Sequence, residues 1–136
     1  MGRYLPDAEV LVCAILRDAL PDIDVVTLIP PDLADRPRPL VWVRRIGGSA
    51  VHPQFLDRAT VDIQCWGTGR RQVAGLAEQV RSILWNTHRA QTARAEGSLA
   101  SYQESSAPAE IRTGTQSPRL YRYQATYSLG IRPPHS

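Results

Sequence analysis

The sequence predicts an α+β fold: one mainly antiparallel or mixed sheet, packed on one face by two helices. Two segments, Arg58–Trp66 and Arg119–Ile131, alternate apolar and polar residues with the period of a half-buried strand. Two others, one near the start of the chain and one from about Arg70 to Asn86, carry apolar residues at helical spacing. Strands that are apolar on one side only need cover on one side only, which places both helices on the same face. A chain of 136 residues with 43% hydrophobic and 21% charged residues closes one core without a metal or disulfide. No internal repeat or linker divides it, so residues 1–136 read as a single domain.

The first helix opens at Pro6-Asp7, with Asp7 as N-cap and Glu9 favourably placed on the helix dipole. Val10 to Leu16 give it a broad apolar surface, and Pro21 stops it. Ile23–Ile29 reads as a strand ended by Pro30-Pro31, and residues 32–39 read as a proline-rich loop. Leu40–Ile46 is a second strand, in which Trp42 and Arg44 alternate with Val41 and Val43. Gly47-Gly48-Ser49 begins a loop running through His52 and Pro53. In Arg58–Trp66, Ala59, Val61, Ile63 and Cys65 face the core, while Thr60, Asp62, Gln64 and Trp66 face away. Gly67-Thr68-Gly69 then turns the chain into the second helix, with Thr68 as cap and Val73, Leu76, Val80 and Ile83 as its buried stripe. Patterning weakens from His88 onward, so about 88–117 reads as a long loop, with a modest strand within Ser98–Ser106. Arg119–Ile131 is the last strand, with Tyr121, Tyr123, Ala125, Tyr127, Leu129 and Ile131 on its core side.

Composition excludes several classes. The longest near-apolar stretch, Val10–Leu16, is far short of the about 20 residues that span a bilayer. The first residues carry no pattern of a secretory signal, and Cys13 and Cys65 fall on apolar positions, as reduced core thiols do. A cytosolic protein is the expectation. All sixteen cations are arginine, and Asn86 is the only asparagine. Lysine and asparagine both have AT-rich codons, so their scarcity is the mark of a GC-rich genome before it is a sign of phosphate recognition.

A catalytic constellation is missing. His52, His88 and His135 share no metal-ligand spacing, and neither cysteine sits where a nucleophile would be activated. Asp57 and Asp62 lie an odd number apart on one strand, so they face opposite ways and cannot act as a carboxylate pair. The strand–GTGRR–helix turn has the layout of an anion site but lacks the spacing of a P-loop or a dinucleotide fingerprint. Arg70 and Arg71 in the first helical turn oppose the helix dipole, an arrangement that an acidic partner surface offsets. Trp42 and Trp66 fall on the polar faces of their strands, in step with Arg44 and Gln64. Together with Arg45, Arg70, Arg71 and Arg122 they form the candidate assembly interface, since Trp and Arg are enriched where proteins meet.

The order of elements, with "PLVWVRRIGG", "LDRATVDIQCWGTGRRQVAGLAEQVRSIL" and "PRLYRYQATYSLGIRP", resembles the tail terminator (tail completion) family of long-tailed bacteriophages. The residues that carry the resemblance include Gly47, Gly48, Asp57, Arg58, Trp66, Ala74, Leu76, Ala77, Val80, Arg81, Pro118, Arg119, Tyr121 and Tyr123, within roughly residues 5–133. It implies a virion structural protein of the tail or neck, made in the host cytoplasm, that forms a ring of like subunits, typically a hexamer. That ring caps the head-proximal end of the tail tube, ends tube polymerisation and joins a head-side connector or stopper protein. The contacts between subunits are expected on the outer sheet face and on the 47–56 and 88–117 loops. DNA passes through without sequence-specific binding; neither cofactor, membrane nor enzymatic reaction is implied. Two alternatives stand beside it: another neck component, and an arginine-rich nucleic-acid-binding module using Arg44, Arg45, Arg70 and Arg71.

Overall fold

A computed structural model describes residues 4–33, 39–111 and 120–134. Its elements run α1 (Ala8–Ala19), β1 (Asp24–Val26), β2 (Leu40–His52), β3 (Leu56–Gly67), α2 (Arg70–Ala90), β4 (Ser98–Glu110) and β5 (Tyr121–Arg132). The five strands form one sheet in the order β1-β2-β3-β5-β4. β1 pairs with β2 in parallel and every other neighbour is antiparallel, so the sheet is mixed. Both helices pack on the face carrying Val41, Val43, Ala59, Val61, Ile63, Cys65, Tyr127, Leu129 and Ile131, all of them buried. The predicted architecture of a single domain with two helices on one side of the sheet is the observed one.

Local chemistry accounts for the helix starts. The Asp7 carboxylate accepts from the Glu9 and Val10 amides at 2.9 and 3.2 Å, a cap of about 1 kcal/mol. Thr68, expected to cap α2, does not: Gly69 is the N-cap, and no side chain bonds to the first amides. α2 is amphipathic and buries Val73, Leu76, Ala77, Val80 and Leu84. It runs past Asn86 to Ala90 because nothing in Thr87-His88-Arg89-Ala90 breaks a helix, and Gln91 ends it in the left-handed region at φ 51°.

The structure corrects three other expectations. The strand expected over Ile23–Ile29 is only Asp24–Val26; Thr27–Ile29 pair with no strand among the described residues. The loop expected from Gly47 is instead the continuation of β2 to His52, paired with β3 through two register shifts. Gly48 makes that continuation possible: its φ is +96°, and a Cβ there would lie 2.0 Å from the Arg58 carbonyl oxygen. The loop expected over 88–117 contains the end of α2 and the 13-residue β4, beyond the modest strand within Ser98–Ser106. β4 is an edge strand, so its register can shift at Pro108 and it shows little apolar alternation. Gln64 and Trp66, on the polar face away from the helices, are buried by side chains of the neighbouring strands.

Candidate assembly surface

The helix-free face of the sheet is built in rows by the strand register. Leu40, Trp66 and Arg122 form one row, Trp42, Gln64 and Gln124 the next, and Arg44, Asp62 and Thr126 the third. Five of the eight candidate interface residues, Trp42, Arg44, Gln64, Trp66 and Arg122, therefore share one patch. Period-two alternation was enough to put them there.

Within the patch, polar and aromatic side chains lie against one another. The Arg44 guanidinium sits 4.7 Å from the Trp42 ring centre and Arg122 sits 4.8 Å from that of Trp66. The Trp42 indole donates to the Thr27 carbonyl at 2.9 Å, so the chain after β1 anchors one edge of the patch. Asp62, only 1% exposed, accepts from Arg44 at 3.3 Å, from Gln64 at 3.2 Å and from Gln124. A buried carboxylate is tolerable only when held by donors in this way. Three neighbouring atoms have no hydrogen-bond partner: Gln64 Oε1, Trp66 Nε1 and Arg122 Nε. Polar atoms buried without partners are rare in folded proteins, and each is destabilising until satisfied.

The remaining three candidates lie elsewhere. Arg45 is on the helix side, where it makes a two-pronged ion pair with Asp57 at 2.6 and 3.1 Å while its amide donates to Glu9. Asp57 is nearly fully buried, so this pair is structural: deleting one member of such a pair typically costs about 3–5 kcal/mol. Arg70 bonds Glu110 at 2.9 Å, which raises its pKa through the hydrogen bond to that carboxylate. The partner that offsets its unfavourable place on the helix dipole is thus in the same chain. Arg71 is exposed and makes no ion pair with a described residue.

A second surface, the β2–β3 arm, overlaps the 47–56 stretch expected to take part in assembly, but as a bulged hairpin and not a loop. Ile46 and Val51 are each about half exposed, at 51% and 54%. Both are the extra residue at a register shift, between Arg45 and Gly47 and between Ala50 and His52. Such bulges re-aim side chains; aliphatic residues inside a glycine-rich stretch were the available signal.

Among the described residues, no three His, Cys, Asp or Glu side chains come together as a metal site, and both cysteines are buried. Burial pushes the Cys65 thiol up to about 12, which keeps it protonated and inert. Among the described residues, no helix is long and apolar enough to cross a membrane.

The fold is thus a mixed sheet with both helices on one side and an indole–guanidinium patch on the other. The chain matches the model of the phage tail termination protein family over residues 4–136 and belongs to that family, whose members are structural tail components and not enzymes. It is similar to the Gene 22 protein of Mycobacterium phage D29, at 28% identity over 137 residues, covering 97% of this chain and 96% of that protein.

Proposed function

We propose that the protein forms a ring on the head-proximal end of the phage tail tube, ends tube growth there and presents the other side of the ring to a head-side connector. The mechanism is steric. The subunit offers one surface that the last tube ring accepts and none on which a further tube ring can grow. Family membership over residues 4–136 carries this reading. The helix-free sheet face supports it as a contact surface, because its rim presents the half-exposed Arg44 guanidinium against Trp42, residue types enriched where proteins meet.

The nucleic-acid alternative loses support from the ion pairs. Arg44, Arg45 and Arg70 face Asp62, Asp57 and Glu110, so three of the four arginines proposed to meet phosphate are already neutralised. Such a module would bind DNA with a steep salt dependence.

The deciding experiment is electron microscopy of a phage lacking this protein. Overlong tails unattached to heads are the expected outcome. Tails of normal length beside unsealed heads would instead assign the protein to the head side of the neck.

A further inference from the structure

We propose that the β2–β3 arm of one copy docks into the groove between α1 and α2 of the next copy, a head-to-tail contact that builds the ring. The inference rests on the ring reading above and specifies how neighbouring subunits hold one another.

β5 follows β3 as far as Asp57, which also pairs with Ala50. The arm's tip, residues 51–56, therefore runs past the last β3–β5 pair and carries the half-exposed Val51 and Phe55, with Ile46 exposed further back on β2. The tip is ordered by its own contacts: the Phe55 amide donates to the His52 carbonyl at 3.2 Å, and the two rings lie against each other at a 34° tilt with centres 4.7 Å apart. An arm already ordered in the free subunit loses little entropy on docking.

The groove is the arm's complement. It is an open depression of about 420 Å³ lined by Ala19, Leu20, Gly75, Glu78, Gln79 and Ile83. Gly75 is the telling residue. It lies in the second turn of α2, where glycine weakens a helix relative to alanine, yet a Cβ there would meet nothing within 4 Å. Packing inside the chain gives no reason for a glycine; a neighbour pressing onto the helix backbone does.

Charge and geometry both favour a second copy as the occupant. Arg58 at the base of the arm is exposed and makes no ion pair with a described residue. On the groove side, the Glu78 side chain is 60% exposed with only a 3.4 Å contact to Arg81, and Asp22 stands exposed just beyond Leu20. The arm cannot fill its own groove. Its base meets α1 near Glu9, whereas the groove lies at the far end of that helix, about 15 Å along its axis. A projection and a recess on different parts of one surface make a heterologous contact, which closes into a ring when the rotation allows.

Cysteine cross-linking of the full-length protein tests this, since Cys13 and Cys65 are buried and stay silent. Val51→Cys and Gln79→Cys variants are treated separately and mixed with a short bismaleimide. Covalent dimers in the mixture alone are expected, as is a ladder from the doubly substituted chain. Dimers from Val51→Cys alone would mean arm-to-arm pairing and would overturn the proposal. So would an assembled protein that gives no cross-link, which leaves the ring reading intact. A wild-type protein that stays monomeric, alone and on purified tail tubes, overturns both. A Gly75→Gln variant adds an independent readout: the monomer's Tm rises by a few degrees while assembly falls at least tenfold. Unimpaired assembly of that variant would also sink the idea.

Discussion

Both faces of the sheet are buried at their centres, but they reach that state by different chemistry. On the helix-covered face, burial comes from shape: Val41, Val61, Leu129 and Ile131 lie beneath α1 and α2, and each apolar side chain gains from leaving water. On the helix-free face, no described helix covers the strands, and the side chains cover one another. Trp42 and Trp66 carry arginines across their rings, and Asp62 gathers three donors. The covered face tolerates little change in volume. The open face tolerates change at its rim but not at its buried carboxylate.

Substitutions can break this contrast, beginning with the covered face. Leu129→Ala, at a fully buried position, is expected to destabilise the fold by about 4 kcal/mol, read as a lower urea midpoint at unchanged slope. On the open face, Asp62→Ala strands Arg44, Gln64 and Gln124 together, and about 3 kcal/mol should be lost. A loss near zero would show that water already serves those donors.

Alkaline pH probes the covered face through Cys65. The folded thiol holds its proton up to about 12, against a usual 9.0, because burial penalises the thiolate. Its contribution to stability is complete below pH 9 and is lost as the pH rises towards 12. Cys65→Val should therefore lose about 2 kcal/mol less than wild type between pH 8 and pH 11, measured by urea melts at each pH. Equal losses would place the alkaline weakness elsewhere, for instance at Tyr127, whose hydroxyl burial also pushes up. The smallest effect is expected at the rim: Arg44→Ala removes a half-exposed cation from Trp42 and should cost less than about 1 kcal/mol. A larger loss would make Arg44 a true support of Asp62.

How legible each region was depended on whether its signal was local. Asp7 capped its helix as expected because an N-cap needs only the next few residues. Alternation likewise put Trp42, Arg44, Gln64, Trp66 and Arg122 on one face. The same pattern could not tell that Gln64 and Trp66 are buried, because burial there depends on residues of neighbouring strands lying over them. β4 was only half visible because an edge strand needs no apolar alternation. Arg45 was grouped with Arg44 by adjacency, yet consecutive strand residues face opposite ways, and it pairs with Asp57 on the helix side.

By itself, the sequence determined the fold class, the two helices, the central strands and the family, all of which rest on periodicity and short-range chemistry. Only the tertiary structure decided which cations are spent on internal pairs, that the polar face closes over itself, and that residues 46–52 extend as a bulged strand instead of a loop. Those outcomes depend on strand register and on residues far apart in the chain. Period-two alternation constrains which face a side chain occupies, but not what the neighbouring strand sets against it.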